Sequence, residues 1–161
     1  MYNKYLKPLY HKIIGEEFNY ESTEDRLTMQ HIVYLCITMG IPINSYGFRY
    51  SGKHGPMSMQ LYNDLSEINE NPDYNPPFNE FDENTMKVIR EIRRMIAVGK
   101  NTKYSAREWL ECLCSLIHLK KFVLSTLNTD TSELFNTLQE RQPHLNNKKA
   151  NEEAYKLIKS L

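Results

Sequence analysis

The chain has 161 residues, of which 40% are hydrophobic and 25% are charged, as is ordinary for a soluble globular protein. Its 20 Lys and Arg balance 20 Asp and Glu, and this neutrality argues against nucleic-acid binding through bulk charge. The charge is unevenly placed, because residues 1–80 hold 6 basic and 10 acidic side chains and residues 81–161 hold 14 and 10. Such a layout favours attraction within the fold or, less commonly, a basic docking face. The length predicts a single domain over residues 1–161.

The beginning of the chain and its cysteines predict a compartment. MYNKYLKPLYHKIIGEE lacks the continuous apolar stretch of a signal peptide, and no later run has the length of a transmembrane helix. Cys36, Cys112 and Cys114 lie in apolar helical patterns and are expected to be reduced core residues. We therefore expect a cytoplasmic protein.

Apolar periodicity predicts a mostly α fold of about seven helices, beginning with an apolar face over residues 2–14. Ser22 or Thr23 is expected to cap a second, largely buried helix that stops at Gly40. Aromatic residues then alternate with small or charged ones, which predicts one small β element near residues 46–50. A turn at residues 55–56 follows, and Ser58 is expected to cap the third helix.

The second half of the chain begins with a surface loop and continues as helices. Residues 69–82 are rich in Asn, Pro and Asp, which predicts a long loop tethered by Tyr74, Phe78 and Phe81. Helical spacing resumes at residues 86–99. Further helices are predicted after Ser105, after Ser132 and over residues 150–161.

Catalytic and metal-binding patterns are weak in this sequence. Cys114 and His118 have the i, i+4 spacing of two metal ligands, but no second pair accompanies them, so packing is the favoured interpretation. Ser58 is interpreted as a helix cap, because the residues around it do not form a nucleophile elbow. The glycines form no phosphate-binding motif. We therefore expect no catalytic residue, no metal site and no cofactor.

A basic patch is predicted on the fourth helix. Four cationic side chains lie opposite the apolar face, and the positive character continues to residue 107; the patch comprises Lys87, Arg90, Arg93 and Arg94. A solvated helix face paired with Glu83 and Glu91 is one interpretation. Contact with an acidic partner or a nucleic acid is the other.

The aromatic residues of the β element are the second candidate surface. Tyr46, Phe48 and Tyr50, with His54 in the loop beyond, could present anchors to a partner protein or add a strand to it. A structural alternative is that Phe48 is buried while the two tyrosines cover the margin of the core. Both interpretations agree with the sequence.

Several motifs occur in an order that suggests a family. They are R-L-x-x-Q-x-x-V-Y-L from Arg26, G-I at 40–41, Y-x-F-x-Y from Tyr46 and G-P-x-S-x-x-L-x-x-D-L from Gly55. Over residues 23–68 the chain resembles the YwgA-like family and, more distantly, the Panacea domain of antitoxin-associated proteins. The helix at 109–119 is also similar. The resemblance implies a compact helical domain that acts by binding other proteins, with no catalytic residues to carry over.

Together these observations predict a non-enzymatic protein-interaction module. We expect a bacterial or phage inhibitor, antitoxin or adaptor that binds a protein partner, such as a toxin, a nuclease or another defence-related protein. The alternative is a nucleic-acid-binding regulator that uses the basic helix over residues 87–107. No membrane contact is expected.

Overall fold

The computed structural model describes residues 2–73, 78–124 and 130–161, and within them it contains seven α-helices and one small sheet. The helices are α1 Leu6–Ile14, α2 Thr23–Thr38, α3 Met59–Glu70, α4 Glu83–Gly99, α5 Ala106–His118, α6 Thr131–Arg141 and α7 Lys148–Ile158; the strands are β1 Arg49–Ser51 and β2 Gly55–Met57. A 3₁₀ turn occupies Tyr2–Tyr5 and a π-helix Leu119–Val123. The predicted mostly α class is confirmed. Every helix in these ranges is too short or too polar to cross a membrane.

The chain forms two compact units. The first contains Met1–Phe48 and Ser58–Arg94, and the second contains Arg49–Met57 and Met95–Leu161. The first unit has 8 basic against 13 acidic side chains, whereas the second has 12 against 7. The charge imbalance seen between the two halves of the sequence is therefore larger between the units. A single domain over residues 1–161 stays a prediction.

Helix α2 is the central element of the first unit. Eight consecutive residues, 29–36, are buried, as its broad apolar surface predicts. Ser22 rather than Thr23 caps it, since the Ser22 side chain accepts a hydrogen bond from the Asp25 backbone N–H at 3.1 Å. Gly40, with a φ of 94°, turns the chain away after the last helical turn.

A buried amide joins α2 to the beginning of α3. The Gln30 side-chain Nε2 donates to the Ser58 carbonyl at 2.9 Å, and its Oε1 accepts from the Ser58 N–H at 2.9 Å. The Ser58 hydroxyl accepts from the Leu61 N–H at 3.0 Å, which confirms the predicted cap, and donates to the Tyr46 carbonyl. Ser58 thus begins α3 and is hydrogen-bonded both to Gln30 of α2 and to Tyr46.

The predicted loop is held by aromatic packing within the first unit. Phe78 and Phe81 pack with ring centroids 4.6 Å apart, and Tyr5 lies 6.0 and 6.2 Å from them. Helix α3 continues to Glu70, so the predicted start of the loop at residue 69 is early. Tyr74 lies outside the described residues.

The small sheet differs in detail from the predicted β element. Strand β1 begins at Arg49, and Tyr50 pairs with Pro56 across the antiparallel ladder. Tyr46 has a φ of 60° and Gly47 a φ of 55°. These positive values are incompatible with an extended strand, so both residues belong to a turn. The predicted turn at residues 55–56 is strand β2, and the chain reverses at residues 52–54.

Helix α5 is the centre of the second unit. Ser105 and Glu108 form a reciprocal capping box at its start, and the Trp109 indole N–H donates to the Met95 carbonyl at 2.9 Å. Residues 109–118 are all buried, including Cys112 and Cys114. Asp130, rather than Ser132, caps α6 by accepting from the Ser132 N–H.

We predict that Gln30→Leu lowers the free energy of unfolding by about 2–4 kcal/mol. The substitution leaves both backbone groups of Ser58 buried without their partner, and each such group costs roughly 1–3 kcal/mol. Urea unfolding followed by circular dichroism measures the change. Gln60→Leu, on the exposed side of α3, is the matched control and should stay within about 0.5 kcal/mol. Equal losses in the two variants would contradict the role of Gln30.

Candidate functional site

Tyr46, predicted to contact a partner, lies inside the first unit. Only 1% of its surface is exposed, and its hydroxyl donates to Asp64 Oδ2 at 2.7 Å. Burial raises the pKa of this phenol, and the Asp64 hydrogen bond raises it further. A side chain with so little accessible area offers no anchor to a partner, so Tyr46 is removed from the predicted binding surface.

Phe48 is also used within the first unit. It is half-buried, and its ring meets that of Tyr34 edge-on, with centroids 5.2 Å apart and planes at 77°. The alternative to partner binding, in which Phe48 is buried in the fold, agrees with this half-buried and packed ring.

Tyr50 belongs to a different arrangement, in the second unit. Its ring stacks on His118 with centroids 5.9 Å apart and planes at 29°, and the Arg141 guanidinium lies over the same ring, 5.1 Å from its centroid. His118 in turn packs against Phe122 at 4.9 Å. We call these four side chains, Arg141, Tyr50, His118 and Phe122, the stacked row.

The stacked row ends at an exposed aromatic ring. Phe122 is 66% exposed and Val123 is 37% exposed, whereas His118 is 8% exposed. Both exposed residues lie in the π-helix that follows α5, and short π-helical segments are frequent at functional sites. The extra residue per turn changes the direction of the side chains relative to α5, so Phe122 does not join the buried face.

A buried polar network supports the stacked row from beneath. Gln142, which is fully buried, donates through Nε2 to Glu111 Oε2 at 2.8 Å and to Ser115 Oγ at 2.9 Å. Its Oε1 accepts from the Tyr50 hydroxyl. Glu111 also contacts His144 Nε2, so the buried carboxylate has two partners. Burial raises the pKa of Tyr50 to about 12, which keeps the phenol a hydrogen-bond donor at neutral pH.

The small sheet brings Tyr50 within reach of the network. Gly55 in β2 faces Ser115, and a Cβ built at Gly55 would lie 2.3 Å from Ser115 Oγ. Its φ of 78° also lies in the left-handed region that favours glycine. Glycine at this position therefore lets β2 approach α5 closely enough for Tyr50, opposite Pro56, to reach Gln142.

His54 is half-buried in the turn between the strands. Burial is the main cause that lowers its pKa, and Lys53, Arg107 and His144 lower it further, while Glu111 opposes them. His54 therefore shares the electrostatic surroundings of the network, in the same unit as Tyr50. Two of the four residues predicted for partner binding, Tyr50 and His54, thus lie in the second unit, and the other two belong to the first unit.

The basic patch is exposed, as predicted, but half of it is paired. Lys87, Arg90, Arg93 and Arg94 all lie on the solvent side of α4. Arg90 contacts Glu83 at 2.7 Å and Arg94 contacts Glu91 at 2.9 Å, which are the two acidic partners that the solvated-face interpretation names. The pairing reduces the charge available to an acidic partner or a nucleic acid.

The network contains groups that could take part in acid–base chemistry, but its one hydroxyl among the described aliphatic side chains, that of Ser115, is buried. A carboxylate that contacts an imidazole, as Glu111 does His144, is an arrangement that can orient a general base. Ser115 lies on the same helix, but it is fully buried and its hydroxyl bonds Gln142. Among the described residues, no group of three or more His, Cys, Asp and Glu side chains could hold a metal ion. The arrangement is suited to fixing Tyr50.

The sequence contains a pattern that indicates this network, although it matches no catalytic or binding motif. Glu111, Ser115 and His118 recur at i, i+4 and i+7 within residues 109–118, which are otherwise apolar, and this is the spacing of one helical face. The polar side chains of such a stripe on a buried helix require hydrogen-bonding partners within the fold. Phe122 continues the same spacing at i+11, whereas Gln142 comes from a distant helix end and could not be assigned to this face by helical spacing.

No protein-family model matches this chain, and no curated protein or solved structure matches it. The resemblance to the YwgA-like family and the Panacea domain therefore rests on the motifs quoted above and stays a prediction. The geometry of the stacked row and its network is the basis for a functional proposal.

We predict that Gly55→Ala lowers the free energy of unfolding by about 1–3 kcal/mol. The new methyl group would overlap Ser115 Oγ, and the positive φ adds backbone strain. Gly52→Ala is a matched control in the same hairpin, because its Cβ would lie an ordinary 4.0 Å from the nearest atom, the Arg141 carbonyl oxygen. Thermal unfolding of both variants checks the prediction, which is wrong if they lose the same stability.

We predict that His118 makes the protein less stable in mild acid. Burial lowers its pKa in the folded state, whereas the unfolded residue has a pKa of about 6.5. As the pH falls below that value, the unfolded chain binds a proton that the folded chain does not, so stability decreases toward the lower folded pKa. His118→Phe keeps an aromatic ring in the stacked row and should lose less stability between pH 7.5 and pH 5.5. Equal losses in urea unfolding would rule out this contribution.

Proposed function

We propose that this chain is a non-enzymatic protein-interaction module that binds a partner protein through the stacked row. The observation that carries the proposal is Phe122, a large aromatic side chain that is 66% exposed while its inner side packs on His118. The fold leaves most of this apolar surface in water. Burying a phenylalanine side chain contributes roughly 1.5–3 kcal/mol, so a partner that covers it gains affinity.

The support beneath Phe122 favours a binding role over accidental exposure. His118 and Tyr50 are fixed by packing and by the Gln142 network, so the rings that back Phe122 lose little conformational freedom when a partner binds. Aromatic residues and arginine are also the residue types enriched at the energetic centres of interfaces. The row combines both, and Tyr50 belongs to the surface that the sequence predicts.

The biological role within this class comes from the family resemblance. The motifs over residues 23–68 are similar to those of proteins that neutralise or deliver a partner, so we propose an inhibitor, antitoxin or adaptor from a bacterium or phage. Absence of a catalytic function is part of the same proposal. It is supported by the burial of Ser115, whose hydroxyl accepts a hydrogen bond from Gln142.

We predict that Phe122→Ala abolishes capture of a specific partner while leaving the fold intact. The experiment compares proteins retained from a bacterial lysate by the immobilised wild type, by Phe122→Ala and by Met59→Ala, with quantitative mass spectrometry. Met59 is a matched control because it is an apolar residue with 73% exposure in the first unit. Truncating an interface anchor costs about 2 kcal/mol or more, or roughly a 30-fold loss of affinity.

The supporting result is a protein retained by the wild type and by Met59→Ala but lost with Phe122→Ala. Circular dichroism and unchanged thermal unfolding of Phe122→Ala confirm that the loss is local. Identical retention by all three proteins would overturn the stacked row as the binding site. Loss with both variants would point to generic hydrophobic adsorption and would overturn it equally.

A further inference from the structure

We infer that the stacked row binds an acidic peptide segment that carries one large apolar side chain. This inference rests on the proposed function and specifies the chemistry of the partner. It follows from two features of the second unit: its excess of cationic side chains around the row, and the single ring that the row exposes.

Most acidic side chains of the second unit already have a structural use. Its 12 basic residues outnumber 7 acidic ones, and four of the acidic ones are engaged within the unit. They are Glu108 in the capping box of α5, Glu111 in the network, Asp130 at the start of α6 and Glu153 paired with Lys156. These carboxylates keep their charge but are occupied within the fold, and the unit as a whole carries more positive than negative side chains, which favours an acidic partner.

Cationic residues flank both ends of the stacked row. Arg141 lies over Tyr50 at one end, and Lys121 is exposed directly before Phe122 at the other. Lys53 is exposed in the turn of the hairpin, and its neighbour Gly52 lies close to the Arg141 carbonyl. Glu140 is the acidic residue adjacent to Arg141, and it is exposed. Carboxylates of a partner would therefore find a cation at each end of the stacked row, Lys121 beside Phe122 and Arg141 over Tyr50.

The exposure of the row favours a peptide over a single-stranded nucleic acid. Non-specific binding of single strands uses several aromatic platforms on which successive bases stack. Here His118 is 8% exposed and is covered by Tyr50 and Phe122, so Phe122 is the ring of the row with a broad free surface. One ring beside the partly exposed Val123 fits a single apolar side chain.

The test measures binding of four fluorescently labelled probes by polarisation and locates it by NMR amide shifts. Three are 12-residue peptides: an acidic peptide with a central leucine and phenylalanine, the same acidic peptide with alanines there, and a lysine-containing version that keeps the leucine and phenylalanine. The fourth is a 12-nucleotide oligothymidylate. All are tested against the wild type, Phe122→Ala, Lys121→Glu and Lys149→Glu.

The expected result is preferential binding of the acidic peptide with the apolar residues. Phe122→Ala should weaken it at least tenfold, and Lys121→Glu about three- to tenfold, because it reverses a charge beside the anchor. Lys149→Glu makes the same reversal at an exposed position of α7 and should leave the affinity within twofold. Raising the salt concentration should weaken binding, and amide shifts should centre on residues 118–123 and 141.

Several outcomes would overturn the inference. Equal or tighter binding of the lysine-containing peptide removes the acidic preference, and equal binding of the alanine version removes the apolar anchor. Tighter binding of the oligothymidylate would show that the row serves nucleic acid. If no peptide binds while Phe122→Ala still loses its partner from a lysate, the proposed function stands and only the partner chemistry is wrong.

Discussion

The geometry of the candidate site depends on the side-chain amide of Gln142. This amide is buried and uses both of its polar ends, accepting from Tyr50 and donating to Glu111 and Ser115. A buried amide has a strong requirement for such partners, because leaving one of its groups unpaired costs more than the net gain of an ordinary hydrogen bond. The strand that carries Tyr50 is short, so its position is specified by this bond and by the close approach of Gly55 to α5 more than by the two-stranded ladder.

A second glutamine has a comparable role in the first unit. Gln30 satisfies both backbone groups of Ser58, and Ser58 begins α3 and binds the carbonyl of Tyr46. The strained turn at Tyr46 persists because its phenol, its carbonyl and the following helix are all fixed by hydrogen bonds. In both units a buried amide on or directly beside a helix fixes the position of a segment outside the helices. The segment with the greatest functional interest is thus held by polar contacts that hydrophobic periodicity does not reveal.

This difference explains which parts could be predicted from the sequence. Helices follow from local spacing, and the cap at Ser58 and the one at Ser22, given as one of two candidates, follow from capping chemistry; these predictions are confirmed. The alternation from Tyr46 to Tyr50 suggested one strand, but a hydrogen bond to Asp64 and a positive φ take Tyr46 out of it. Helical spacing places Phe122 on the same face as Ser115 and His118, but its exposure could not be predicted because the chain leaves the 3.6-residue period in the π-helix.

The stacked row separates the requirements of folding from those of binding. The positions of Tyr50 and His118 are determined by Gln142 and by the apolar surroundings of α5, so both side chains serve the fold. Phe122 contributes one packed side to this arrangement and leaves the rest of its ring in water. Removing that ring therefore costs the fold little stability, but it removes apolar surface that a partner could cover. A rigid support beneath an exposed ring lowers the entropic cost of covering it, and this is the physical reason to seek the interaction at Phe122 rather than at the buried Tyr46.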